Sequence, residues 1–178
     1  MDLAWIALRL VLACVFGAII GVEREIRRRP AGLRTYMLVC VGSALVMITN
    51  EMLAHAYPGV DPSRMGAQVI SGIGFLGAGT IIVTGKNRVQ GLTTAAGLWA
   101  TACVGLAVGA GYIVVAAIGC IITFLVVVII YRVDDKITAT SRIMDFYIEF
   151  ENMASMRSFI RKVKGYQMKL TNMEVIRN

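Results

Sequence analysis

Five apolar stretches, at about 3–22, 33–53, 66–84, 93–110 and 112–131, alternate with short polar segments over the first three quarters of the chain. Each is close to the ~20 residues that a helix needs to cross a ~30 Å hydrocarbon core. A helix satisfies its own backbone donors and acceptors, so the pattern predicts five transmembrane helices within residues 1–133. After Tyr131 the pattern changes. Within residues 134–178, Ile143 to Phe150 alternates apolar and polar positions, Met153 to Lys164 has a helical period, and Gln167 to Ile176 alternates again. The expected fold class is an all-α polytopic membrane protein with a short α+β tail of strand, helix and strand. A tail of this size is too small to bury a core alone, and its open strand edge favours pairing with another copy, giving a homodimer.

Composition agrees with this pattern: 57% of residues are hydrophobic and the mean hydropathy is +0.71, which excludes an ordinary soluble domain. The first stretch contains Arg9 and is followed by Glu23 and Arg24 where a cleavage site would need small residues, so it reads as a retained helix rather than a signal peptide. The net charge of +7 is unevenly placed. Arg24, Arg27, Arg28, Arg29 and Arg34 lie between the first two stretches, Lys86 and Arg88 between the third and fourth, and nine Lys or Arg follow the fifth, whereas the alternate loops hold only Arg64. Positive charge marks the cytoplasmic side, so the N-terminus is expected outside and the tail inside. Contact with lipid headgroups accounts for the basic balance without a nucleic-acid partner. Cys14, Cys40, Cys103 and Cys120 fall one per span, which points to packing and to neither a disulfide framework nor a zinc site.

Candidate chemistry gathers near the basic loops. The first helix is expected to run on to about Arg29, where Pro30 disfavours further helix, with Glu23–Arg27 and Glu25–Arg29 at i,i+4 spacing. Gly17, Gly21 and Glu25 share one face, so a strip narrow enough for close helix approach leads to a carboxylate. The same residues also describe a solvated, salt-bridged helix end. Residues 27–35 echo residues 86–94: Gly32-Leu33 matches Gly91-Leu92 and Thr35 matches Thr94. Two basic loops, each with a glycine at a helix entrance, could offer an anion backbone N–H groups and cations; the expected cluster is Glu23, Arg24, Glu25, Arg29, Arg34, Thr35, Thr93 and Thr94. Within the third stretch Gly72, Gly74, Gly77 and Gly79 lie in a Gly-x-Gly-x-x-Gly frame, which without a preceding strand is no dinucleotide fingerprint. With Gln68, Ser71 and Thr80 they indicate either tight packing, with the Gly105/Gly109 face of the fourth helix as partner, or a broken helix lining a path. Arg9 is expected to snorkel outward, ahead of pairing with Asp2, Glu51 or Asp61. Glu51, His55 and Asp61 are a weak divalent-cation set, so no metal or cofactor is assigned. No nucleophile and base pair up, so no enzyme is expected.

Gly17-Ala-Ile-Ile-Gly-Val-Glu-Arg-Glu25, Arg29-Pro-Ala-Gly-Leu-Arg-Thr35, Arg64-Met65 leading into Gln68-Val-Ile-Ser-Gly-Ile-Gly-Phe-Leu-Gly-Ala-Gly79, and Gly91-Leu-Thr-Thr-Ala-Ala-Gly-Leu-Trp99 resemble the MgtC/SapB family of bacterial inner-membrane proteins. The resemblance covers about residues 1–131. It implies a role in adaptation to low magnesium or acid stress, exerted on other membrane proteins, and a tail resembling part of an ACT or ferredoxin-like domain. Thr93 and Ala100 depart from the Asn and Cys of the virulence-associated branch. A regulator without enzymatic activity, binding another membrane protein, is the first expectation. The alternative is a small ion transporter or channel for Mg²⁺, another cation or an anion.

Overall fold

The computed structural model describes residues 2–61, 63–84, 88–140, 148, 150 and 152–165. In chain order the elements are α1 (Leu3–Ile26), α2 (Leu33–Ala56), α3 (Arg64–Gly79), β1 (Ile82–Thr84), β2 (Arg88–Gln90), α4 (Leu92–Gly109), α5 (Ile113–Thr140) and α6 (Met153–Gly165). Two compact units divide the chain, Met1–Ala139 and Thr140–Asn178.

The first unit is built around α2, which lies between α1 and α4. Its stripe Tyr36, Cys40, Ser43 and Ala44 is buried, and glycines flank it on both sides. On α1, a Cβ at Gly17 would stand 2.7 Å from the Tyr36 carbonyl oxygen, and one at Gly21 would stand 2.8 Å from the Tyr36 Cβ. On α4, a Cβ at Gly105 would run into the Cys40 carbonyl, and one at Gly109 would stand 2.8 Å from the Ala44 Cα. Apolar lipid gives little hydrophobic drive between helices, so this backbone-to-backbone proximity, with its dispersion contacts, is what holds the three together. Leu98, Val108, Ala116 and Cys120 complete the core, and Cys120 Sγ on α5 lies 3.6 Å from the Phe16 carbonyl of α1.

The helices α1, α2 and α4 are long and apolar enough to cross a membrane, and α5 holds a further apolar run, Ile113–Ile129. The third predicted span needs correction. Instead of continuing to residue 84, α3 stops at Gly79 after 16 residues, about 24 Å at 1.5 Å per residue. The β-branched run that follows forms an antiparallel hairpin, with Ile82 opposite Gln90 and Val83 opposite Val89. Gly91, at φ +95°, turns the chain from this hairpin into α4, where a Cβ would collide with the Thr80 carbonyl. The entrance to α2 uses glycine for a different reason. Gly32 has φ −110°, and a Cβ there would occupy the place of the Glu25 carboxylate. The sequence echo therefore marks equivalent cap positions but not equivalent backbones.

Close packing through four glycines of α3 is also corrected. A Cβ at Gly77 would stand 3.3 Å from the Ala95 Cβ, while one at Gly72, Gly74 or Gly79 would meet nothing within 4 Å among the described residues. The Gly105/Gly109 face of α4 packs on α2 rather than on α3. α1 ends earlier than Arg29, in a Schellman turn: the Arg29 N–H donates to the Arg24 carbonyl and the Arg28 N–H to the Glu25 carbonyl. Arg28 takes the left-handed position, φ 51°, that glycine usually fills. In the second unit the expected helix is present as α6, while the expected strands at 143–150 and 167–176 lie wholly or largely outside the described residues.

Candidate functional site

Two ionic clusters sit near the two ends of α1. Near its start, Arg9 is buried, 5% exposed, against the expectation of snorkelling. Its Nη1 donates to Glu51 Oε2 at 2.6 Å and to the Gly109 carbonyl oxygen at 2.9 Å. Its guanidinium carbon lies 5.1 Å from the centre of the Trp5 ring, a cation–π distance. Gly109 is the last residue of α4, so the arginine also meets the negative end of that helix dipole. At Gly111 the backbone is left-handed, φ +84°, and a Cβ there would come 3.2 Å from Arg9 Nη2. One side chain thus ties α1, α2 and the α4–α5 turn together, and its Nε is buried without a hydrogen bond. Glu51 is committed to Arg9, and Asp61 accepts from the Ser63 N–H at 2.8 Å and hydroxyl at 2.7 Å. The possible cation set of Glu51, His55 and Asp61 is therefore not assembled; among the described residues no group of three such ligands converges.

At the basic end, Glu23 and Arg24 are both buried, with Arg24 Nε donating to Glu23 Oε2 at 2.8 Å. Arg27 Nε is 3.6 Å from Glu23 Oε1, the predicted i,i+4 pair, and that oxygen is buried without a hydrogen bond. Above them Tyr36, fully buried, wedges between Gly21 of α1 and Gly97 of α4 and donates its hydroxyl to the Thr94 carbonyl at 3.3 Å. Thr94 is buried too, whereas Thr93, Arg29 and Arg34 are exposed and Thr35 is half-buried. Glu25 turns away from this group and accepts the Leu33 N–H at 3.1 Å, satisfying a free donor at the start of α2. Of the predicted cluster, the structure gathers Glu23, Arg24 and Thr94. Tyr36 was missed because a lone tyrosine near a span end reads as an interfacial aromatic; the glycines at 17, 21 and 97 that make room for it were the available signal.

The third feature is the open side of α3. Ala67, Ser71, Gly74 and Ala78 form one exposed small-residue line, next to Gln68 and to Phe75, which is 85% exposed. Gln68 and Ser71 make no side-chain hydrogen bond among the described residues. Trp99 of α4 is half exposed.

Long apolar helices, joined through glycine-to-backbone contacts and charged only near their ends, define a helical membrane protein. The chain belongs to the MgtC family, whose sequence profile matches residues 10–136. It is similar to YhiD of Escherichia coli K12, a candidate magnesium transporter by name, at 37% identity over 88% of this chain and 75% of that protein. Protein SapB of Bacillus subtilis 168 is 40% identical over 63% of this chain and 53% of its own length. Protein MgtC of Brucella abortus 2308 is 47% identical over 66% of this chain and 48% of its own length. The chain therefore spans about half the length of these two relatives. No solved structure matches it.

Proposed function

We propose that this chain is a regulator without enzymatic activity that acts on other membrane proteins in the bacterial inner membrane, during adaptation to low magnesium or acid stress. In this reading it crosses five times, with the N-terminus outside and the arginine-rich loop and tail in the cytoplasm. The observation that carries the reading is the contrast between the sides of the bundle. α1, α2 and α4 meet at backbone contact, while α3 leaves Ser71, Gly74 and Ala78 open beside Gln68, and neither Ser71 nor Gln68 has a side-chain partner among the described residues. Small residues admit another helix closely, and an amide or hydroxyl facing lipid gains from a partner that can bond it. The occupant of this face is a helix of another membrane protein. A second copy of the chain is proposed as well, from the open strand edge that the alternating pattern at 143–150 and 167–176 predicts.

The test is co-isolation from native membranes with a photo-crosslinker at Ala78. Crosslinks to another membrane protein that vanish in Gly74→Leu, with the fold retained, are expected. Undiminished crosslinking in that variant would remove α3 from the interface.

A conduit is the second reading, favoured by one observation: Glu23 Oε1 is buried without a hydrogen bond beside Arg24. The name of YhiD gives the ion to try first, Mg²⁺. Flux through the isolated chain separates the two readings.

A further inference from the structure

The tail unit contains one helix whose chemistry the bundle does not use. α6 carries Arg157, Arg161, Lys162 and Lys164 and no acidic residue over its 13 positions. Its start is fixed by Asn152, whose Oδ1 accepts the Ser155 N–H at 2.9 Å and the Ser155 hydroxyl at 3.0 Å. That bond satisfies a donor of the first turn and makes a defined N-cap. Met156, Phe159, Ile160 and Val163 fall at helical spacing on one half-buried stripe. The Phe159 ring lies 5.5 Å from the Phe150 ring, so this stripe is engaged within its own unit. Arg157, Arg161 and Lys162 flank it and are exposed, and no ion pair among the described residues involves them.

We infer that α6 is an electrostatic docking helix for the anionic lipid surface of the bilayer that the same chain spans. Its exposed cations match the negative potential of a phosphatidylglycerol- or phosphatidylserine-type surface, which falls off within a Debye length. The chain itself keeps the helix within reach of that surface. α5 ends at Thr140 and α6 begins at Met153, and the intervening residues span at most about 45 Å when fully extended. Tethering converts a weak surface attraction into an intramolecular one. The contact is made by the basic side chains, not by insertion of the apolar stripe. The inference rests on membrane membership and is independent of whether the protein regulates or conducts.

The full-length protein in nanodiscs supplies the test, with amide hydrogen exchange of α6 as the readout. Discs of phosphatidylcholine alone are compared with discs that also contain phosphatidylglycerol. At low salt the anionic discs should slow exchange across Met153–Gly165 by about tenfold or more, since each basic side chain near such a surface contributes roughly fivefold. The protection should disappear at ~1 M salt, where the Debye length is ~3 Å. It should also disappear in the combined variant Arg157→Glu, Arg161→Glu and Lys162→Glu, with the milder Gln substitutions giving an intermediate loss. Unchanged exchange of α1 and α2 in each variant checks that the bundle has folded. Equal exchange in the two kinds of disc overturns the inference. So does protection that survives salt or charge reversal, which would make the apolar stripe the contact. Protection produced in phosphatidylcholine discs by inorganic phosphate would assign the cations to a dissolved anion and also overturn it.

Discussion

At the scale of single residues, the Arg9–Glu51 pair is the interaction with most at stake. Arg9 is buried and Glu51 is about one third exposed, so solvent screens part of the attraction. Removing one partner of a buried pair leaves an uncompensated charge, here with the Gly109 carbonyl and the Trp5 ring as its remaining electrostatic partners among the described residues. Glu51→Ala should therefore lower stability in detergent by about 1–3 kcal/mol. Adding Arg9→Met should recover part of that loss, because the stranded charge goes with it. Strictly additive losses in a double-mutant cycle would show that the pair is not coupled. Arg28 predicts a change of opposite sign. It holds a left-handed conformation at the end of α1, so Arg28→Gly should stabilise the chain by about 0.5–1 kcal/mol, read from the same unfolding curves. Asp61 gives a pH expectation. The Ser63 hydroxyl and N–H hold its carboxyl below the ordinary carboxylate range, so the turn before α3 is fully favoured above the unfolded value. The preference is lost only as pH falls through the depressed folded value. NMR titration of Asp61 should show it ionised throughout the range of mild acid.

At the scale of elements, the two glycine lines should respond differently to the same substitution. Gly105→Leu pushes a side chain into the Cys40 carbonyl and Ser43, between two helices that cannot separate without losing the core, and should cost about 3 kcal/mol or block assembly. A Cβ at Gly74 meets nothing within 4 Å among the described residues and the position is exposed, so Gly74→Leu should change stability by no more than about 0.5 kcal/mol while abolishing partner crosslinking. Thermal unfolding of the two variants checks this, and equal losses would contradict the assignment of α3 as the open face. The difference was not legible in the sequence, where glycines on α3 and α4 look alike; only the placement of α2 distinguishes them. The runs that became α1, α2 and α4 were legible because length and hydropathy suffice to find a helix that can span a bilayer. The end of α3 was not, because Ile81, Ile82 and Val83 raise hydropathy equally as helix or strand. For Arg9 the sequence offered Glu51 among three possible partners but ranked it below snorkelling for a related reason: Glu51 is 42 residues away, and no local pattern joins the two.

At the scale of the whole molecule, the bundle is closed around α2. An ion crossing between α2 and its neighbours would have to pass Gly17 and Gly21 on one side or Gly105 and Gly109 on the other, where even a methyl group meets backbone atoms. Near the middle of α2 the stripe offers Cys40, Ser43 and Ala44, and the Ser43 hydroxyl is already bonded to the Val39 carbonyl at 2.8 Å. No carboxylate lies there to replace the hydration of a divalent cation. The buried charges lie near the ends instead, each neutralised by a neighbour: Glu51 by Arg9, and Glu23 by Arg24 and Arg27. Purified full-length protein in liposomes should therefore pass Mg²⁺, K⁺, H⁺ and phosphate no faster than empty liposomes do, and Glu23→Gln should change nothing. Flux well above that background, reduced severalfold by Glu23→Gln, would show that the helices open along a route the closed bundle conceals, with Glu23 on it. Flux unaffected by Glu23→Gln would equally exclude the pure regulator and place the route elsewhere, away from the α1–α2 and α2–α4 contacts.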